Sequence, residues 1–230
     1  MLVDCGFGVR ELASRAARIG LELGSLDAVL VTHEHGDHIG GVARVGRALK
    51  IPLMMTRGTA LGRRDWTGCQ VQHISPHQSF VLGDLDVQPF PVPHDAREPC
   101  HFTFVHESRR LGVVSDLGHV TPHVSRSLDA CNALLLEFNH DVDMLARGPY
   151  PAQLKRRVAG DLGHLSNIQA AELLRGLDRS RLQALVLTHI SQKNNTPELA
   201  RAAACEALDD DPDWCICAEQ DHGSGWREVH

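Results

Sequence analysis

Between Thr32 and Gly41 the chain reads THEHGDHIGG, setting His33, His35, Asp37 and His38 in close succession. Imidazole nitrogens and carboxylate oxygens are good ligands for zinc and manganese. The cluster follows a short apolar run, DAVLVT, and so falls where a buried strand presents its carboxyl end. His33 and His35, one residue apart, can converge on one ion from an extended segment. Asp37 and His38 emerge as the chain turns into the next helix and can face a second ion. Gly36, Gly40 and Gly41 relieve crowding around that turn. A solvated histidine-rich loop is the bland alternative, but four ligand-type residues in the order HxHxDH favour metal. Glu34 falls outside the ligand slots and is read as a supporting or solvated carboxylate.

The elements that must carry such a site are legible as short runs rich in Val, Leu and Phe: DAVLVT, SFVLGDLDVQPF, HFTFV, LGVVSD, NALLLEF and LQALVLTH. They read as strands, several buried on both faces. Helical patterns cover Val9 to Arg18, Gly40 to Leu49, Tyr150 to Val158, Ser166 to Leu174 and Thr196 to Leu208. Ser166 and Gln169 have the form of a capping box, and Thr196-Pro197 places proline in a first helical turn. The chain is therefore mixed α and β, with helices packed on sheet faces. AVLVTH at 28–33 echoes ALVLTH at 184–189, so two similar strands are expected in two related halves. Residues 57–68 and 139–151 read as connectors.

At 230 residues, with 43% hydrophobic and 23% charged residues, the chain suits one globular domain. A net charge of -6 supplies no general basic footprint for nucleic acid, although bound divalent ions would add local positive charge. Seven cysteines, an odd number without a CxxC framework, fit a reduced cytoplasmic protein. Cys215 and Cys217, separated by one residue, are read as neither a metal nor a redox pair. No apolar run approaches the ~20 residues of a membrane span, and the start MLVDCG has no signal-peptide character.

THEHGDHIGG resembles the signature of the metallo-β-lactamase-fold hydrolases, and further pieces of that pattern follow in order. Asp4 in LVDCG resembles the aspartate that braces the first loop. His94 in PVPHDA resembles the third histidine of the first metal site. Asp116 in VVSDLGH resembles the carboxylate that bridges both metals, and His189 in LTHIS the last histidine of the second site. The resemblance implies an αββα sandwich over residues 1–230, a single domain of two pseudo-related halves that lacks the strand family members carry before LVDCG. It also implies two divalent ions, zinc or manganese, with His33, His35 and His94 on one, Asp37, His38 and His189 on the other, and Asp116 between. Two such ions lower the pKa of a bridging water to give hydroxide at neutral pH, so hydrolysis is the expected chemistry.

The fold serves lactams, thioesters, lactones and phosphodiesters, and the metal motif does not choose among them. Glu137 in LLLEFNHD and His164 in GDLGHLSN stand in the order of a glutamate and histidine that work together in the ribonuclease Z and ribonuclease J branches. PHDAREPCHFTF, EFNHDVDML, GPYPAQLKRRVAGDLGHLSN and LTHISQKNN are most similar to the YycJ (WalJ) group, whose members act as metal-dependent exonucleases from a DNA 5′ end. That resemblance implies a phosphodiesterase with Asp37, Glu137 and His164 as catalytic candidates. His164, paired with Glu137, would stabilise or protonate the departing oxygen. Ser166, Asn167, Asn194 and Asn195 are candidate phosphate contacts, weighed evenly against helix capping for Ser166 and turn formation for the asparagines. DNA is the expected partner ahead of RNA, with no membrane. With 4% aromatic residues, recognition should rest on the backbone rather than on base stacking. The alternative is a thioester or lactone hydrolase of the same fold, which would need neither Glu137 nor His164. The remaining histidines, among them His73, His77, His101, His106, His119, His123 and His140, are read as surface or structural.

Overall fold

The computed structural model describes residues 1–62 and 65–230; Arg63 and Arg64, within the connector expected over 57–68, lie outside the described residues. Two compact units are present, one of residues 1–78 and 96–100, the other of residues 79–95 and 101–230.

In the first unit a four-stranded parallel sheet runs in the order β1 (Leu2–Val3), β2 (Val29–Leu30), β3 (Pro52–Met55), β4 (Gln70–His73). The intervening helices are α1 (Val9–Arg18), α2 (Gly36–Ile39), α3 (Val42–Leu49) and α4 (Arg57–Leu61). Val29, Val31, Val42, Val45, Leu53 and Met55 are fully buried and form its core. The apolar run at 27–32 yields only a two-residue ladder, because Thr32 turns its amide to a side chain, the Asp4 carboxylate, at 2.8 Å. That departure starts the histidine cluster. α4 replaces part of the expected connector: Thr56 caps it by accepting from the Thr59 amide, a local signal that a five-residue helix makes hard to read.

The second unit holds a seven-stranded sheet in the order β11-β10-β9-β8-β7-β6-β5, with β5 (Phe80–Leu82), β6 (Leu85–Pro91), β7 (Cys100–His106), β8 (Arg109–Val114), β9 (Ala133–Glu137), β10 (Ala184–Thr188) and β11 (Cys215–Cys217). β8 to β11 are parallel, whereas β5–β6 and β7–β8 pair antiparallel. The helices are α5 (Pro122–Leu128), α6 (Val142–Arg147), α7 (Ala152–Val158), α8 (Asn167–Gly176) and α9 (Pro197–Leu208). β9 and β10 are apolar along most of their length because both lie inside the sheet, where Leu134, Leu136, Leu185 and Leu187 join one core with Leu173 and Leu174 of α8. α9 joins that core through Ala200, Ala204 and Ala207, spaced to share one helical face. α6, within the stretch read as a connector over 139–151, starts where the Asp141 side chain accepts from the Met144 amide. The parallel order has a direct consequence for chemistry: β8, β9 and β10 deliver Asp116, Glu137 and His189 at the same carboxyl edge.

Candidate metal centre

In the first unit the site is assembled around Asp4. Its carboxylate accepts from the Thr32 amide at 2.8 Å, the Thr32 hydroxyl at 2.7 Å and His38 Nδ1 at 2.8 Å. Because the Thr32 hydroxyl gives its proton to Asp4, its oxygen can accept only from His33 Nδ1, 2.9 Å away. His33 and His38 thus hold their protons on Nδ1 and keep Nε2 for another partner, the arrangement that orients histidine ligands of metals. His33 Nε2 and His35 Nδ1 converge to 3.0 Å, as two donors to a common ion do. His33 is fully buried and His38 nearly so, while the Asp37 side chain is largely exposed.

The cluster turn is laced to the loop after β1 by main-chain contacts. Cys5 N donates to His38 O at 2.7 Å, and Gly41 N to Cys5 O at 2.8 Å. A Cβ on Gly41 would lie 1.7 Å from Phe7 O, and one on Gly6 would lie 2.1 Å from Asp37 O. Only glycine permits that approach. Glu34 braces a neighbouring segment: its Oε1 accepts from the Arg97 amide at 2.8 Å.

In the second unit Glu137, fully buried at the end of β9, accepts four hydrogen bonds. His189 Nδ1 donates at 2.7 Å and His164 Nδ1 at 2.9 Å to one oxygen; the Leu117 and Leu165 amides donate at 2.9 and 3.1 Å to the other. Burial alone would raise its pKa, but the two imidazoles override that and hold it down to about 2, so it is ionised at neutral pH. Both imidazoles then turn Nε2 outward. Asp116 Oδ1 lies 3.5 Å from His164 Nδ1 and 3.8 Å from both His189 Nδ1 and His94 Nε2. Asp116, Glu137, His164 and His189 form one group whose ligand-type atoms all lie within 4.8 Å of one another. His94 donates from Nδ1 to the Gly163 carbonyl at 3.1 Å, which again leaves Nε2 outward; burial, chiefly, lowers its pKa and keeps the ring neutral, as a ligand requires.

Backbone strain marks the same residues. Asp4 (φ 57°), Asp116 (φ 46°) and His189 (φ 54°) are left-handed although none is glycine. Such conformations cost about 1 to 3 kcal/mol each and concentrate where function holds them. Each lies just beyond a strand end, so the left-handed turn swings its side chain out of the ladder.

The four polar residues proposed for phosphate are all buried. Ser166 caps α8: its hydroxyl accepts from the Gln169 amide while the Gln169 side chain accepts from Ser166 N at 2.9 Å. Asn167 and Asn195 pair their amides reciprocally at 2.9 and 2.8 Å, and Asn195 also donates to Phe138 O at 2.8 Å. Asn194 O accepts from the Asp141 amide at 2.8 Å. Sequence reasoning did not anticipate the bond from Glu137 to His189, the relay through Thr32, or the Gly163 carbonyl; Thr32, preceding the first histidine, is the one among them with a side-chain signal.

In each unit the donors suit divalent metal: His33 and His38 in the first, His94 and His189 in the second, have Nδ1 fixed by an oxygen acceptor, which leaves Nε2 for another partner. The chain belongs to the β-lactamase superfamily, whose domain matches residues 1–190. It is 31% identical over 220 residues to exodeoxyribonuclease YycJ of Bacillus anthracis, a match covering 91% of this chain and 81% of that protein. It is 34% identical over 216 residues to exodeoxyribonuclease WalJ of Streptococcus pneumoniae strain D39, covering 90% and 80%. The solved metallo-β-lactamase-fold protein YhfI from Bacillus subtilis superposes with a TM-score of 0.71 at 17% identity, covering 97% of this chain and 84% of YhfI, and speaks to the fold alone. Among the described residues no helix is long and apolar enough to cross a membrane.

Proposed function

We propose that this chain is a metal-dependent phosphodiesterase that removes nucleotides from the 5′ end of DNA. The observation that carries the reading is the Glu137 carboxylate bonded to both His164 and His189, with Asp116 alongside. A metal centre needs the His189 ligand, while an acid for a departing alkoxide needs a second imidazole held beside it. A thioester or lactone hydrolase has no use for that second imidazole. The names of the YycJ and WalJ relatives support DNA as the substrate.

In this reading His33, His35 and His94 would hold one divalent ion and Asp37, His38 and His189 a second, with Asp116 as a carboxylate available to both. Zinc and manganese both suit the ligands. When bound, the ions supply a water acidic enough to attack phosphorus at neutral pH and positive charge against the phosphate oxygens. Asp4 and Thr32 fix the tautomers of His33 and His38, and Gly163 that of His94. Glu137 stays ionised and holds His164 with its proton on Nδ1. His164 then offers Nε2 to the departing oxygen and, when doubly protonated, gives it a proton. Ser166, Asn167, Asn194 and Asn195, whose polar groups are largely taken up within the fold, serve by fixing the segment that carries His164; direct phosphate contact from them would require those bonds to be exchanged.

The test is manganese- or zinc-dependent release of nucleotides from 5′-phosphorylated DNA, compared between this chain and its His164→Ala variant, with a thioester as the rival substrate. The expected result is DNA hydrolysis that falls by about 10² to 10⁴ in the variant. Thioester turnover indifferent to His164, with DNA untouched, would replace the nuclease reading.

A further inference from the structure

The chain carries a net charge of -6, yet Met144 to Gly160 contains Arg147, Lys155, Arg156 and Arg157 and no acid. These residues lie at the end of α6 and along α7. Two of the cations have structural work. Arg157 grips Asp95, with Nε 2.5 Å from Oδ2 and a second nitrogen 3.2 Å from Oδ1. Lys155 Nζ donates to Ala146 O at 2.7 Å, near the end of α6. Basic residues in a last helical turn also complement the helix dipole, which holds for Arg147 on α6 and for Lys155, Arg156 and Arg157 on α7 alike. Arg147 and Arg156 differ in their side chains: both are exposed, and neither side chain makes a hydrogen bond or ion pair among the described residues.

α7, which carries Arg156, is tied to the segment that carries His164, and Lys155 ties α7 to the end of α6 beside Arg147. The Val158 carbonyl, at the end of α7, accepts from the His164 amide at 2.9 Å, and Gly163 N donates to Gly160 O at 2.7 Å. Leu162 O accepts from Asp95 N at 3.0 Å, so the same loop is tied to the segment that Arg157 grips. The cationic helix and the imidazole are therefore held as one piece, with Arg156 only two residues, about 3 Å of helix rise, before Val158.

We infer that Arg147 and Arg156 bind backbone phosphates of a nucleic-acid strand beyond the phosphate that is cleaved. The inference rests on the nuclease reading and adds the path of the strand. On a chain of net negative charge, exposed cations on the segment tied to His164 favour that side for the strand. Phosphates recur along a strand, so cations on α7 and at the end of α6 can meet more than one of them. An acidic protein partner has no reason to sit beside His164.

The experiment compares the wild-type chain with Arg147→Gln/Arg156→Gln and Arg147→Lys/Arg156→Lys. Hydrolysis of a 5′-phosphorylated strand of about 20 nucleotides and of a 5′-phosphorylated dinucleotide is followed as a function of salt. Each lost contact to a single strand removes about 0.7 from the salt slope, so the glutamine pair should lower it by about 1.4, equivalent to roughly 25-fold at about 0.1 M salt relative to 1 M. The ratio of kcat/KM for the long strand to that for the dinucleotide should fall by a similar factor, and the lysine pair should restore most of it. An unchanged ratio and slope in the glutamine pair, with wild type degrading the long strand, overturns the inference alone. Failure of wild type to degrade either DNA overturns the nuclease reading, and the inference with it. Both arginines are exposed, and thermal unfolding monitors whether the variants remain folded.

Discussion

Replacing Glu137 by glutamine changes one atom and sets the two halves of its hydrogen-bonding shell in conflict. The carboxylate accepts from two imidazoles at 2.7 and 2.9 Å and from two main-chain amides at 2.9 and 3.1 Å. Glutamine retains one acceptor oxygen, and its NH₂ must face one of those pairs. The Leu117 and Leu165 amides cannot become acceptors, whereas an imidazole can change tautomer. The oxygen therefore turns to the amides and the NH₂ to the histidines, which must accept on Nδ1 and carry their protons on Nε2. Two charge-assisted bonds, worth about 1.5 to 3 kcal/mol each, become neutral ones worth about 1, for a net loss of roughly 1 to 4 kcal/mol in stability. The functional loss should be larger, because a protonated Nε2 can neither ligate metal nor accept a proton to become the acid. The corresponding carboxylate-to-amide exchange in a serine-protease triad costs about 10⁴ in kcat through the same tautomer error. We expect Glu137→Gln to lower phosphodiester turnover at saturating metal by about 10³ to 10⁴, and to weaken metal binding by about 10- to 100-fold. The assays are steady-state hydrolysis and equilibrium metal titration of the purified chain. Turnover within roughly threefold of wild type, in a variant that still unfolds cooperatively, would refute the assigned role of Glu137.

Three further outcomes follow from other parts of the structure. Asp4 is left-handed at φ 57°, a conformation asparagine tolerates, so Asp4→Asn isolates the loss of charge from backbone strain. It should weaken metal binding by about 10- to 100-fold, and an unchanged titration would exclude the Thr32 and His38 bracing. Gly41→Ala would set a Cβ 1.7 Å from the Phe7 carbonyl oxygen, a main-chain atom that cannot rotate away. A loss of about 3 kcal/mol or more is expected in urea denaturation, and a loss below about 1 would show that the two loops separate readily. His140 is nearly fully buried, and burial, chiefly, holds its pKa down to about 4. The unfolded chain, titrating this imidazole near 6.5, binds the extra proton between these values, so stability should fall by roughly 3 kcal/mol as pH drops through that window and level off below it. His140→Asn should flatten that part of the profile; parallel profiles would contradict the assignment.

Much of this protein is legible in its amino-acid sequence. The HxHxDH order named four ligand-type residues, and the apolar runs marked β6 to β10, because ligand chemistry and burial act through side-chain type. α1 was bounded correctly, and the capping box at Ser166 and Gln169 formed as its spacing required. Short elements were missed: α4 and α6, of five and six residues, contain too few turns for a period to show, and each is set by a single capping side chain. What only the tertiary structure decided is how each imidazole is held. Glu137 meets His164 and His189 across 27 and 52 residues of chain, and His94 meets the Gly163 carbonyl across 69. A carbonyl is the same group in every residue, so its role leaves no trace in the sequence. The left-handed turns at Asp4, Asp116 and His189 are equally silent, because their cost is met by the strands and hydrogen bonds that surround them rather than by the residue itself. Sequence fixes which atoms can bind; the parallel order of β8, β9 and β10 fixes that Asp116, Glu137 and His189 arrive together, since strands that run the same way end on the same edge.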